Sequence, residues 1–353
     1  MTSAGILGLG AFLPAAIRGN DWWSETEVRG WPRPSAPPQL PADATPAARR
    51  VFTEMSRYAR DPFQGIRERR IADASTSPTE LEAIAAERAL AQAAVAPGDI
   101  DLLLVHTAVP DYLFSNTAAV LHERLGLARA CLSLQVDASA YSFLGQLALA
   151  TQLIAAGAAR RALLVQSSTA SRLVDRTDPA SVFFGDAATA AVVGPVASPQ
   201  ILASVHRTDG RFPRTAIASV PGGRWYDGKP IAHVADPAGA FRVFLDTVDC
   251  ALDVIPAALA AAGLTARDVS FFGVHQGTPW LRAMTQEALG LGAARTVDLF
   301  ATTGYVFASS IPLVLDTAHR AGSLAAGDVV LLFGGGTGAT YGATVLRWPS
   351  LPR

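Results

Sequence analysis

The sequence predicts an α/β fold made of two similar halves, residues 1–197 and 198–353, and three observations support this prediction. Apolar strand-like runs alternate with helical patterns along the chain, which is typical of α/β proteins with a largely buried parallel sheet. Half of the 353 residues are hydrophobic and only 17% are charged, so the chain can bury a large core. An internal repeat places one strand-and-turn unit in each half.

Apolar runs and helical spacing predict the order of elements in the first half. The N-terminal run MTSAGILGLGAFLPA lacks a basic segment, so we expect a buried strand there and no signal peptide. The segment 21–61 is rich in Pro, Trp and Arg and is predicted to be an irregular insertion, either a lid or an exposed loop. Beyond it we predict helices over 77–94, 116–125 and 142–156, and strands over 101–107, 132–136 and 162–166.

The repeat joins two stretches that match without gaps. APGDIDLLLVHTAVPD from Ala96 aligns with TARDVSFFGVHQGTPW from Thr265, which places His106 over His275. Downstream, an LGL triplet, a helix ending in glycine and an apolar strand recur in the same order. Chance similarity of apolar strands explains this conserved order poorly. The repeat therefore predicts two βα halves related by a pseudo-dyad, with equivalent turns meeting at one central site.

Composition excludes several classes of function. Lys229 is the only lysine, so Schiff-base and lysine-nucleophile chemistry is nearly excluded. A formal net charge of −1 lacks the basic field of a nucleic-acid binder. Cys131 and Cys250 form no CxxC pair and the six histidines show no metal-ligand spacing, so we predict no metal. The two distant cysteines suit a reducing cytoplasm, so we expect a cytoplasmic protein. After the N-terminal run, no apolar run lasts about 18 residues, so we expect no membrane span.

Four motifs carry a resemblance to a known family: GIRERRI from Gly65, FFGDAATAAVV from Phe183, GVHQGTP from Gly273 and FGGGTGATYGATVLRW from Phe333. In this order they resemble β-ketoacyl-acyl carrier protein synthase III, or ketosynthase III, over nearly the whole chain. The resemblance implies the thiolase fold, a duplicated five-layer αβαβα arrangement. It also implies a homodimer, acyl-coenzyme A or acyl carrier protein thioesters as co-substrates, and no permanently bound cofactor.

The resemblance further implies positions for the catalytic groups, and the nucleophile departs from the family. The histidine of the family's HQ motif falls on His275, a candidate general base. Counting back from Gly157 places the family's cysteine on Ala140, which cannot form an acyl-enzyme. This alanine is either a natural loss or a Cys→Ala substitution. A count anchored on Asp137 instead offers Ser142 as an alternative nucleophile, whereas the structural interpretation makes Ser142 an N-terminal helix residue.

A second departure is Tyr305, which stands where the family has asparagine and which the repeat places at the position equivalent to Ala140. Loss of this asparagine argues against decarboxylative condensation, because Asn and His together stabilise the enolate that forms there. The family's oxyanion amide falls on Gly335, and Gly185 and Asp186 are expected to be structural. Candidates for phosphate or carrier-protein contacts are Arg67, Arg69 and Arg70.

These observations predict an acyltransferase of specialised metabolism that transfers an acyl group from a thioester to a small-molecule acceptor without decarboxylative condensation. Two alternatives stay open. One is a catalytically silent thiolase-fold subunit that pairs with an active ketosynthase, and the other is a decarboxylative condensing enzyme. A pocket plugged by Tyr141 and Tyr305 would favour the silent subunit.

Overall fold

The computed structural model describes residues 2–32, 38–336 and 340–352. In chain order, its strands are β1 (Ser3–Phe12), β2 (Ala16–Gly19), β3 (Glu68–Ile71), β4 (Leu102–Thr107), β5 (Leu132–Gln135), β6 (Ala162–Ser168), β7 (Ala187–Val196), β8 (Ile201–Thr208), β9 (Ile217–Ser219), β10 (Ile231–His233), β11 (Phe271–Val274), β12 (Val329–Gly335) and β13 (Thr340–Arg347). Its α-helices are α1 (Glu25–Gly30), α2 (Pro46–Tyr58), α3 (Pro78–Ala93), α4 (Thr117–Leu125), α5 (Ser142–Ala155), α6 (Pro237–Ala261), α7 (Leu281–Ala288), α8 (Phe300–Thr303) and α9 (Ser310–Arg320).

Two mixed sheets form the framework. The first has the strand order β1-β7-β6-β4-β5, and the second has the order β11-β12-β13-β8. Strands β4, β5 and β6 are parallel as predicted. Strand β7 runs antiparallel to both β6 and β1, so the sheet is mixed and the expectation of a parallel sheet is met only in part. The connection between β6 and β7 contains two short 3-10 turns and lacks the α-helix that usually joins parallel strands. The boundary predicted between 197 and 198 stays a prediction.

The two sheets share the central layer of a five-layer stack. Helices α5 and α9 lie between the sheets, and Phe143, Leu147, Ile311 and Leu315 from these helices form one apolar cluster with inward-facing residues of both sheets. Helices α3 and α4 cover the outer face of the first sheet. Helices α6 and α7 cover the outer face of the second. The order of layers is therefore αβαβα, as the resemblance implies.

The helices predicted in the first half are confirmed, and local capping explains where they begin. Ser77 precedes α3 and its side chain accepts a hydrogen bond from the Glu80 N–H. Asn116 does the same for α4, through the Ala118 N–H. Gly126 ends α4 with a φ of +62°, a left-handed conformation that glycine adopts without strain.

The expectation for segment 21–61 is partly wrong. Its residues 33–37 lie outside the described ranges, but the remainder contains α1 and the 13-residue helix α2. Thr45 caps α2 and Pro46 occupies its first turn, which is a favourable start for a helix. Ala48 and Val51 on α2 are buried against the cluster that includes α6. This packing stabilises a helix in a stretch whose proline content suggested an irregular loop.

Candidate active site

His275 follows β11 directly and is almost completely buried. Its backbone N–H donates to the Phe333 carbonyl at 2.9 Å, which extends the pairing of β11 with β12 by one residue. The residue is only 5% exposed, and burial lowers the pKa of its imidazole to about 4. Nδ1 has no hydrogen-bond partner among the described residues. The side chain is therefore neutral near pH 7, with one ring nitrogen available as an acceptor.

Ala140 lies in the Ser139 turn, our name for the 3-10 turn Ser139–Tyr141 that leads into α5, and it is 2% exposed. Ser142 is fully buried at the start of the helix. Its hydroxyl donates to the Ser139 carbonyl at 2.7 Å and accepts from the Ala138 N–H at 2.8 Å. Both bonds hold the turn together. This geometry fits the structural interpretation of Ser142 and gives no support to its role as a nucleophile.

The glycine run at the end of β12 brings the Ser139 turn and His275 together. A Cβ atom on Gly334 would lie 3.4 Å from the His275 Cβ, and one on Gly336 would lie 3.2 Å from the Ala140 nitrogen. Gly335 lies between them and pairs with Tyr341 on β13. The missing side chains therefore allow a single strand end to touch both parts of the predicted site. The next three residues of the motif, 337–339, lie outside the described ranges.

Tyr305 contacts His275 on the other side. The two ring centroids are 5.4 Å apart with the planes nearly perpendicular, which is a favourable edge-to-face arrangement. The tyrosine ring also lies 4.5 Å from Phe307 and 6.2 Å from Phe184, centroid to centroid. Burial raises the pKa of the Tyr305 hydroxyl, which therefore stays protonated. The structure thus brings Ala140, His275, Tyr305 and the glycine run to one place.

The backbone of Tyr305 is fixed by a loop from the first half of the chain. Its N–H donates to the Phe183 carbonyl at 2.6 Å, and its carbonyl accepts from the Gly185 N–H at 3.1 Å. Gly304 has a φ of +64°, and a Cβ there would lie 2.6 Å from the Phe183 oxygen. Only glycine fits at this position. Tyr305 is therefore held in place by its main chain as well as by its ring.

The predicted equivalence of Ala140 and Tyr305 is wrong. A second 3-10 turn, Phe307–Ser309, precedes α9 and is here called the Phe307 turn. Ser139 and Phe307 both have left-handed φ values, +53° and +50°, so the residue equivalent to Ala140 is Ala308. The predicted equivalence came from counting back the same number of residues from Gly157 and from its repeat counterpart Gly322. This count fails because the helices before these glycines differ in length: α5 has 14 residues and α9 has 11.

Tyr141, the last residue of the Ser139 turn, contacts a strand of the second sheet. Its ring is buried in the central apolar cluster, and its hydroxyl makes a hydrogen bond with His206 on β8. Of the two tyrosines expected to plug a pocket, only Tyr305 contacts His275.

Comparisons with known proteins show which family the chain belongs to. The profile described as 3-oxoacyl-[acyl-carrier-protein (ACP)] synthase III matches residues 134–210, and its C-terminal counterpart matches residues 259–348. A β-ketoacyl-[acyl-carrier-protein] synthase III of Thiobacillus denitrificans is 33% identical over 285 residues, 80% of this chain and 88% of the relative. One from Neisseria meningitidis is 34% identical with the same coverage. The chain belongs to the β-ketoacyl-acyl carrier protein synthase III family.

Solved structures of ketosynthase III enzymes superimpose on the whole chain. The synthase III of Pseudomonas aeruginosa aligns with a TM-score of 0.80 and 28% identity, covering 99% of this chain and all of the other. The priming β-ketosynthase of the R1128 polyketide pathway aligns with a TM-score of 0.79 and 26% identity, covering 99% and 98%. The thiolase fold is thereby confirmed. Enzymes of this family are transferases that use acyl carrier protein or coenzyme A thioesters without a permanent cofactor.

Two further ketosynthase III motifs have structural roles in this chain. The Gln276 side chain accepts from the Leu299 and Phe300 N–H groups and donates to the Val297 carbonyl, so it fixes the segment that leads to Tyr305. Asp186 accepts from the Ala72 N–H and from Ser171, as expected of a structural carboxylate. The sequence showed Gln276 only as part of the HQ motif, without this contact.

Arg69 contradicts its predicted role in ligand binding. It is fully buried, donates to the Val182 carbonyl and the Asn20 side chain, both at 2.6 Å, and lies over the Trp23 ring. A phosphate in solvent cannot reach it. Arg70 is partly buried and its guanidinium donates to a backbone carbonyl, whereas Arg67 is exposed.

Within the described ranges, no cluster of three or more His, Cys, Asp or Glu side chains could hold a metal ion. In the same ranges no helix is both long and apolar enough to cross a membrane.

Proposed function

We propose that this ketosynthase III relative is an acyltransferase of specialised metabolism that moves an acyl group from a coenzyme A or carrier-protein thioester to a small-molecule acceptor. In this proposal Ala140 stands at the family's nucleophile position, and the acyl group passes directly from thioester to acceptor. The likeness to a priming ketosynthase from a polyketide pathway supports specialised metabolism as the setting.

The contact between Tyr305 and His275 carries the proposal. Decarboxylation of a malonyl thioester develops negative charge on an enolate oxygen, and two donors stabilise that charge better than one. In this proposal the Tyr305 ring, packed against Phe184 and Phe307, replaces the family's asparagine. Its protonated hydroxyl offers at most one donor in place of the amide. The aromatic ring and its single donor beside His275 favour acyl transfer to an acceptor over carbon–carbon bond formation with loss of carbon dioxide.

The direct transfer uses His275 as the general base. The neutral imidazole accepts a proton from the hydroxyl or amine of the acceptor while that group attacks the thioester carbonyl. The tetrahedral oxyanion is stabilised by the backbone N–H of Gly335. As the carbon–sulfur bond breaks, the imidazolium returns the proton to the departing thiolate. The products are the acylated acceptor and the free thiol.

The low exposure of the site favours one other candidate, a catalytically silent subunit. Ala140 and His275 are 2% and 5% exposed, so a thioester arm reaches them only if neighbouring chain moves. A silent subunit would need no such access. Retention of His275 beside the glycine run supports the enzyme over the silent subunit.

Intact-protein mass spectrometry with a panel of acyl-coenzyme A thioesters tests the assignment of residue 140. We expect a stable acyl adduct on Ala140→Cys and none on Ala308→Cys, a matched control at the equivalent position of the Phe307 turn with 1% exposure. An adduct on the unaltered chain that disappears in Ser142→Ala would move the nucleophile to Ser142. No adduct on any variant, together with no transfer to acceptors, would leave the silent subunit.

A second experiment tests the role of Tyr305. Carbon dioxide release from malonyl-coenzyme A should be absent with the unaltered chain and with Ala140→Cys alone, and should appear in Ala140→Cys combined with Tyr305→Asn. Release from Ala140→Cys alone would show that the tyrosine does not block decarboxylation.

We also propose a homodimer that pairs through β5. This strand is the edge of the first sheet, and Leu132 and Leu134 on it are 55% and 38% exposed. Leu113 and Phe114, in the loop after β4, are 68% and 104% exposed. An unpaired edge with exposed apolar side chains is a surface that proteins normally cover. A second copy of the chain would cover both features.

A further inference from the structure

His106, the repeat counterpart of His275, has no part in the proposed reaction. It lies at the end of β4, paired with Gln166 on β6, and is 2% exposed. Its Nδ1 is 3.2 Å from Oδ1 of Asp137. The N–H is not aligned for a hydrogen bond, so the contact is electrostatic, and neither ring nitrogen has an aligned partner among the described residues. A buried histidine whose ring nitrogens have no aligned partner in the described part of the chain calls for an explanation.

Asp137 connects His106 to the Ser139 turn. Its Oδ1 also accepts a hydrogen bond from the Ser139 N–H at 2.6 Å, although the carboxylate is 57% exposed. The contacts with His106 and with Ser139 hold the pKa of the carboxyl below its usual range. Ser139 has a φ of +53°, a conformation that is uncommon for residues other than glycine. The next residue is Ala140. The carboxylate is therefore placed to stabilise a strained turn directly before the predicted nucleophile position.

The Phe307 turn has the same left-handed start but a different support. Phe307 stacks on Phe184 with ring planes 15° apart and centroids 6.1 Å apart, and it also packs against Tyr305. Aromatic packing thus surrounds the strained residue before α9, whereas the contact of Asp137 with His106 supports the one before α5. The Phe307 turn can consequently serve as an internal reference when the Ser139 turn is perturbed, because it does not depend on Asp137.

We propose that His106 and Asp137 form a positioning pair that fixes the Ser139 turn and, through it, the backbone at Ala140. Asp137 binds the turn, and His106 anchors Asp137 to the end of β4. The inference rests on the proposed function only in placing residue 140 at the reaction centre. The pair itself can be tested without any thioester.

Hydrogen–deuterium exchange measured by mass spectrometry tests the turn in the full chain. We expect Asp137→Ala to speed exchange of peptides covering 136–144 by about tenfold or more, while peptides covering 305–312 keep their rate. Asp137→Asn keeps an oxygen acceptor for Ser139 and should recover part of the protection. The control is Asp268→Ala, because the Asp268 carboxylate makes a similar backbone contact, with the Thr265 N–H at 2.8 Å, at the surface. It should leave 136–144 unchanged.

The Ala140→Cys chain gives a second readout, the rate at which iodoacetamide alkylates the thiol introduced at position 140. Adding Asp137→Ala or His106→Leu should raise this rate by about fivefold or more, because a loosened turn exposes a buried thiol. Combining the two should add little beyond either alone. His106→Asn places an amide near the position of Nδ1 and should restore the slow rate, which general destabilisation would not predict.

The two proposals fail in distinguishable ways. If the unaltered chain transfers no acyl group to any acceptor and the Ala140→Cys chain takes none from any thioester, but Asp137→Ala loosens 136–144, the acyltransferase is refuted and the positioning pair stands. If the Ala140→Cys chain is acylated while exchange and alkylation with Asp137→Ala stay within twofold of the parent, the positioning pair is wrong. Equal acceleration of 136–144 and 305–312 would also overturn it, since that pattern indicates loss of overall stability.

Discussion

Two buried ionisable groups should give this chain opposing dependences of stability on pH, which single substitutions can separate. Burial lowers the pKa of His275 from 6.5 to about 4. Glu82, on α3, is fully buried, and burial raises its pKa from 4.5 to about 7, although the hydroxyls of Thr107 and Ser167 donate to Oε1. Each difference between the folded and unfolded pKa corresponds to about 3 kcal/mol in the free energy of unfolding.

The signs follow from which state binds the proton more tightly. The unfolded chain binds the proton of His275 more tightly than the folded chain does. The free energy of unfolding therefore falls as the pH drops from about 6.5 towards 4. Folded chain binds the Glu82 proton more tightly, so that contribution is complete below about pH 4.5 and is lost as the pH rises through about 7. Between pH 8 and pH 5.5, His275 lowers the free energy of unfolding by about 1.4 kcal/mol and Glu82 raises it by about 2 kcal/mol. In the unaltered chain these two contributions nearly cancel.

Urea denaturation at pH 8 and pH 5.5 measures the two contributions. Relative to the unaltered chain, Glu82→Gln should lose about 2 kcal/mol on acidification, and His275→Asn should gain about 1.4 kcal/mol. The other titrating groups are common to all three proteins and cancel in the comparison. Glu123→Gln, at an exposed site on α4, is the control and should follow the unaltered chain. Parallel pH profiles for all four proteins would refute the reasoning.

Three further substitutions test the packing of the core, the hydrogen bonds of a buried carboxylate and the formation of the dimer. Phe143→Ala should lower the free energy of unfolding by about 3–5 kcal/mol in urea titrations, because the ring is fully buried in the central cluster. Asp186→Ala should cost about 2–4 kcal/mol in the same measurement, since it leaves two backbone N–H groups and the Ser171 hydroxyl without their acceptor. Leu134→Glu should convert dimers to monomers, as measured by light scattering after size-exclusion chromatography. The control Leu252→Glu, at an equally exposed site on α6, should remain a dimer. A dimer that persists in Leu134→Glu would contradict pairing through β5.

The features that the sequence predicted well depend on neighbouring residues or on the repeat. Ser77 and Asn116 cap their helices through contacts two or three residues away, so the local pattern contains the information. The gapless match of the two strand-and-turn units placed His275 at a strand end. A repeat carries this kind of information because both copies fold under the same local rules.

Other features depend on residues distant in the chain. Helix α2 is stabilised by packing on α6, about 200 residues later, which the composition of 21–61 does not reveal. Arg69 stands in a charged motif but is buried beneath Trp23, so its charge gave the wrong expectation. His106 was visible only as the repeat counterpart of His275, and the sequence did not show its contact with Asp137. Its role depends on the φ of Ser139, which no residue type fixes.

The single apolar cluster around α5 and α9 makes the two copies of the repeat interdependent. Leu164 of the first sheet and Leu332 of the second are buried in the same cluster. A chain cut between residues 196 and 201 would leave each fragment with one face of its sheet open to water, so neither fragment should be soluble alone. Mixing the two fragments should restore the interior. The molecule repeats itself in sequence, yet it no longer divides at the junction of the repeat.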